Sequence, residues 1–238
     1  MPVVCAYLIW RKRSKLKALP VESSQAGLFI LIAGLLLHII SSILKINFGS
    51  YVSLVIVLEG LVLYLLGKKV NRQLLFPLAF LVFMIPLPNV IIIGLSFKMK
   101  ILASQISSNL ISKMGIPAVR DGSTIYLPNG KLMVGDPCSG LRSLISLLAL
   151  GALFTQFIQG SRAKKNILFL SAAPIALASN ALRIIALLLV TYVYGEQAAL
   201  GLFHDFSGMM VFIIAFLGLF LMTKALRCRF EVGEAGVA

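Results

Sequence analysis

Six residues with ionisable or nucleophilic side chains stand in strongly apolar surroundings: His38, Glu59, Cys138, Arg142, Arg183 and His204. A thiol, a guanidinium and an imidazole are what acyl transfer through a thioester needs. A thiolate attacks a carbonyl, an imidazole handles the leaving-group proton, and a fixed cation stabilises the oxyanion. Cys138 lies in VGDPCSGLRSL, Arg183 in SNALRIIALLLV and His204 in GLFHDFSGMM. Asp136 suits an N-cap and Pro137 a first helical turn, so the spacing predicts Cys138 at the N-terminal end of a helix. Free N–H groups and the positive helix end favour a thiolate there. Arg142, four residues on, then projects from the same face one turn deeper. Ser139 and Asp205 adjoin the thiol and the imidazole, and Asn180 shares a face with Arg183. Each residue alone has a plainer reading. Cys138 reads as a small core residue, and His204 as a histidine at headgroup level. Arg183 reads as a structural arginine paired with Glu59 or reaching out to the headgroups. His38 and Glu59 read as packing hydrogen bonds or counter-ion contacts.

The elements that position these residues follow from composition. Of 238 residues, 59% are hydrophobic and 13% charged, and the mean hydropathy is +0.99. Water-soluble domains are about 45–50% apolar and about 25% charged. A single water-soluble globule and a disordered chain are both excluded. Spanning about 30 Å of hydrocarbon takes roughly 20 residues. Residues 25–44, 51–66, 74–95, 138–158, 166–194 and 206–226 are the apolar runs that fit. Most of the 22 basic residues cluster in Arg11–Lys17, Lys68–Arg72, Arg162–Lys165 and Lys224–Arg229. Both termini on the cytoplasmic side put all four clusters there, as short loops require. The net charge of +14 is therefore a topology signal and not a nucleic-acid surface. The same topology, built without the site residues, sets Cys138, Arg183 and His204 at one outer level. Cys5 and Cys228 fall towards the cytoplasmic face, too far from Cys138 for a disulfide.

The expected fold is an all-α, polytopic transmembrane helical bundle of about six spans. It forms a single membrane-embedded domain over residues 1–238. Residues 1–24 give a partial N-terminal segment and a basic cytoplasmic stretch; residues 95–137 give a small extracytoplasmic loop. In that loop Leu95, Met99, Leu102, Ile106 and Leu110 recur at helical spacing, with Lys98, Ser104, Gln105, Ser108 and Ser112 on the other side. This pattern predicts a helix lying in the membrane surface. The Asp121-Gly122 and Asn129-Gly130 pairs then predict a β-hairpin.

Four stretches carry a family resemblance: FPLAFLVFMIPLP, GIPAVRDGSTIYLPNGKLMVGDPCSGLRSL, NALRI and HDFSG. With them the chain resembles the exosortase/archaeosortase family of membrane cysteine transpeptidases, and is more similar to the bacterial exosortases. The likeness runs from about residue 7 to about residue 226. It implies a cysteine-type endopeptidase of the cell inner membrane that cleaves C-terminal sorting signals. Such a signal is a short motif, often Pro-Glu-Pro-like, then a transmembrane helix and a basic tail. It implies an acyl-thioester on Cys138, roles for Arg183 and His204 beside it, and transfer of the product to a lipid or cell-surface acceptor. The implied partners are substrate proteins with that signal and membrane lipid, with no nucleic acid, metal or cofactor. Members usually have about eight spans, so YLIWRKR reads as the end of an upstream span. Pro137 stands where members often have alanine. The rival expectation is a small transporter or polysaccharide-export partner using Glu59, Arg142, Arg183 and His204 as a polar path. The absence of an inverted repeat and the clustering of polar groups at one face count against it.

Overall fold

The structure, a computed structural model, describes residues 1–135 and 138–230, with the backbone alone for Leu200, Leu202, His204, Asp205 and Phe230. The capping roles expected of Asp136 and Pro137 lie outside the described residues. The chain forms two compact units, Met1–Pro88 and Asn89–Ala238.

The first unit holds α1 (Pro2–Arg11), α2 (Arg13–Lys17), α3 (Gln25–Ile43) and α4 (Asn47–Phe80). Helices α3 and the first half of α4 form an antiparallel pair. Gly27 lies against Tyr64, Gly34 against Val57, and Gly60 against Leu31. Small residues let membrane helices approach closely, because lipid supplies no hydrophobic drive between them. His38 and Glu59 make the packing contacts expected of them. The Ser53 hydroxyl donates to the Ser50 carbonyl (2.8 Å), so its lone pair accepts from His38 Nδ1 (3.1 Å). Asn71 Nδ2 donates to Glu59 Oε1 at 2.7 Å.

Helix α4 breaks at Gly67 (φ 80°, ψ 177°), where a side chain would run into the Glu22 carbonyl oxygen. Beyond the break, Pro77 lacks an N–H and so leaves the Gln73 carbonyl without its helical partner. Lys12 Nζ donates to that carbonyl at 2.9 Å. At Leu81 the chain tightens into a 3₁₀ turn over Leu81–Met84, and the Leu81 N–H turns to Leu78 and Ala79. The Pro77 carbonyl thus loses its partner too, and the Cys5 thiol donates to it at 3.2 Å. Both carbonyls are satisfied from α1 and the residue after it, as a low-dielectric setting demands. Lys69 pairs with Glu22 at 3.2 Å, and with Lys12 reaching Gln73 the basic clusters Arg11–Lys17 and Lys68–Arg72 share one end of this unit.

The second unit runs α5 (Asn89–Lys113), β1 (Val119–Asp121), β2 (Thr124–Leu127), β3 (Gly130–Met133), α6 (Leu141–Phe157), β4 (Ile158–Gln159), α7 (Arg162–Tyr194), α8 (Glu196–Leu200), α9 (Leu202–Ala225) and β5 (Arg229–Phe230). The expected hairpin is two hairpins sharing β2, in a β1–β2–β3 antiparallel sheet. Both glycine turns seen in the sequence are used. Ile125, Leu127, Leu132 and Val134 pack under the sheet on Ala103, Ile111, Ile184, Leu187 and Leu188. Asn129 Nδ2 donates to the Tyr192 carbonyl at 2.7 Å, tying the sheet to the end of α7. At the other end, β4 pairs with β5, gathering Arg162, Lys164, Lys165, Lys224, Arg227 and Arg229. Three of these cations occupy the first turn of α7, where the helix dipole disfavours them. Local helix energetics do not explain their place.

One expectation is corrected, and two features differ in detail from the sequence pattern. The run 74–95 is not one helix: Ile85–Pro88 is non-helical, since two prolines cannot continue the α4 ladder. The loop helix starts at Asn89 and buries Ser96, Ser104, Ser107 and Ser108 while leaving Leu95, Leu102 and Leu110 exposed. Exposed leucines suit apolar surroundings, and the helix is long and apolar enough to cross a membrane. Among the described residues, five helices are long and apolar enough to cross a membrane, against about six expected spans: Gln25–Ile43, Asn47–Met84, Asn89–Lys113, Arg162–Tyr194 and Phe206–Ala225. Helix α6, with 17 residues, is shorter, at about 25 Å. Phe29, Ile43, Leu170 and Met209 are each 65% or more exposed. The protein is a helical, multi-pass membrane protein.

Candidate active site

Cys138 is held ahead of α6, not within it. Its N–H donates to the Gly135 carbonyl (3.0 Å). Ser139 is buried and its Oγ accepts from the Leu141 N–H (3.4 Å), capping the helix start. Gly140 lies in the left-handed region (φ 79°), a conformation that ends backward growth of the helix and that glycine adopts without strain. The expected placement of Cys138 in the first helical turn is therefore corrected by three residues. Arg142 consequently does not share a helix face with the thiol; it is exposed at the start of α6.

The turn is anchored on α7. Asn180, 1% exposed, donates from Nδ2 to the Cys138 carbonyl at 3.0 Å. One turn further along α7 stands Arg183, half-buried. Its Nε donates to Ser207 Oγ on α9 at 3.0 Å. Ser107 of α5 donates to the Ala181 carbonyl (3.2 Å), fixing α7 between Asn180 and Arg183. His204 and Asp205 occupy the first turn of α9, with Ser207 three residues after His204; their side chains lie outside the described residues.

Cys138 is 7% exposed and belongs to the core cluster beneath the sheet. Burial pushes its thiol pKa up, and the Arg183 guanidinium pulls against that rise. Desolvation thus opposes the thiolate that the helix end and the cation favour.

The structure thus brings together three of the expected residues, Cys138, Asn180 and Arg183, with Ser139 as the cap beside them. Ser207 was not foreseen. Its signal was a small polar residue one turn after His204 in an otherwise apolar helix.

Fold and site define a polytopic membrane protein with a buried thiol set beside an arginine at one end of a helical unit. The family model described as Transmembrane exosortase (Exosortase_EpsH) matches residues 1–221, and the chain belongs to that family. No curated protein and no solved structure matches it.

Proposed function

We propose that this protein is a membrane cysteine peptidase and transpeptidase acting on C-terminal sorting signals. The observation that carries the reading is the clamp of the Cys138 turn on α7 through Asn180, one turn from Arg183, whose cation favours the Cys138 thiolate. In the proposed cycle His204 accepts the Cys138 proton, and the thiolate attacks the carbonyl after the sorting motif. The oxyanion develops beside Arg183. The C–N bond breaks as His204 returns the proton to the leaving amine, leaving an acyl-thioester on Cys138. A hydroxyl or amine of a lipid or cell-surface acceptor then attacks, and Cys138 is regenerated.

The site end is assigned to the extracytoplasmic side of the inner membrane, both termini being cytoplasmic. The supporting feature is the basic end of the second unit, formed around β4 and β5, opposite the sheet that covers Cys138. The substrate's helix enters from the bilayer with its motif at the site end. The described polar groups favour this reading over a polar conduction path. His38, Glu59 and Arg183 are each held in a local hydrogen bond.

The test is co-expression with a substrate ending in a short motif, one apolar helix and a basic tail. Cys138→Ala abolishes processing while the protein stays in the membrane. Cys138→Ser is nearly as inactive, because a hydroxyl is un-ionised near neutral pH. Full processing by Cys138→Ala overturns the reading.

A further inference from the structure

We propose that Asn180 is a positioning residue that sets the register between Cys138 and Arg183, and that residue 140 is glycine so that the Asn180 carboxamide can reach the Cys138 carbonyl. This rests on the peptidase reading of the site.

Asn180 spends its donor on the backbone of the candidate nucleophile itself, at 3.0 Å. A buried amide without a partner is costly, so a 1% exposed carboxamide holds that carbonyl firmly. Asn180 and Arg183 are three residues apart on one helix, about 4.5 Å along its axis. The carbonyl of Cys138 and the cation that acts on its thiol are therefore referenced to the same rigid surface. The Ser107 bond to the Ala181 carbonyl keeps that surface in place.

Gly140 supplies the second half of the device. A Cβ there would lie 2.8 Å from both Cγ and Nδ2 of Asn180. Real side chains do not tolerate that approach, and the positive φ adds strain for any other residue. The glycine thus serves the turn and the carboxamide at once. Without the clamp, the Cys138 turn keeps its apolar packing on α7, against Ile184, Leu187 and Leu188, but loses the directional bond that fixes its backbone to that helix. The thiol then moves relative to its cation, and the cation's hold on the thiolate weakens.

The experiment measures iodoacetamide alkylation of Cys138 against pH, on detergent-solubilised full chain in a Cys5→Ser, Cys228→Ser background. Arg183→Gln raises the alkylation midpoint, because it removes the charge that favours the thiolate. Asn180→Ala raises it as well, and adding Arg183→Gln to Asn180→Ala raises it little further. Asn180→Ser, whose shorter side chain falls short of the carbonyl, gives the same pattern. It is tolerated because α7 already buries Ser171 and Ser179. A group that only supports folding lowers yield in the Asn180 variants but leaves the midpoint and the full Arg183→Gln shift unchanged. That result overturns the proposal. Alkylation needs no substrate, so its failure is separate from failure of the peptidase reading, which substrate processing judges.

Discussion

In the proposed cycle Arg183 carries a demand that its neighbours explain. An oxyanion exists only while the carbonyl is under attack, so a cation serving it must be fixed beforehand. The Nε bond to Ser207 sets the plane of the guanidinium. Arg183→Ala should lower turnover by about 10²–10³, and Arg183→Lys should rescue little, since the planar fork of donors is lost. Ser207→Ala should cost up to about tenfold in turnover, the worth of one hydrogen bond. Single-turnover kinetics with a sorting-signal peptide separate turnover from binding. A change confined to KM would make Arg183 a substrate anchor. The pH dependence has a definite sign. Burial destabilises the thiolate and Arg183 stabilises it, so the alkaline-rising limb of the rate should move to higher pH in Arg183→Gln. The residue types of this site were legible in the sequence. The local backbone was not, because no periodicity announces that Gly140 takes a left-handed conformation just ahead of α6.

At the scale of elements, α5 shows why a pattern alone misleads. Its leucine and serine faces were legible, but which face turns inward depends on the surrounding solvent. In water the leucines go inside; here the serines do, and Ser104 and Ser107 bond backbone carbonyls at Ile101, Gly122 and Ala181. The three-stranded sheet was legible as two turn pairs, and the missing strand was a matter of register. Helix α4 offers a test of a break that no periodicity announces. Gly67 adopts a conformation nearly restricted to glycine, so Gly67→Ala should destabilise by about 1–3 kcal/mol. Gly94 of α5 has open space around its Cα, and Gly94→Ala should stabilise slightly by its better helix propensity. Thermal unfolding in detergent should therefore move in opposite directions for the two variants. Equal, small shifts would show that the break at Gly67 is not a requirement of the fold.

At the scale of the whole molecule, the second unit is polar along its length. The sheet, α8 and the Cys138 turn occupy one end, and the paired β4 and β5 with their cations occupy the other. Cys228 belongs to the basic end, with its sulfur beside Gly160. A membrane-impermeant maleimide on intact cells should leave a single-Cys228 variant unlabelled, and label it once the membrane is opened. A single-Cys138 variant should react from outside, slowly, because the thiol is buried. Labelling of Cys228 on intact cells would reverse the proposed orientation.

The β4–β5 ladder has a consequence for how the chain is made. It joins Gln159 to Arg229, closing a loop of about 70 residues, and such distant pairings form late. The ribosome delivers Cys138 and Arg183 well before Ser207 and the strand at Arg229. During synthesis the nascent chain thus holds a thiol and a guanidinium that have yet to be oriented. On the proposed reading, a proteolytic centre completed only when its last helix is threaded stays silent towards the insertion machinery that handles it.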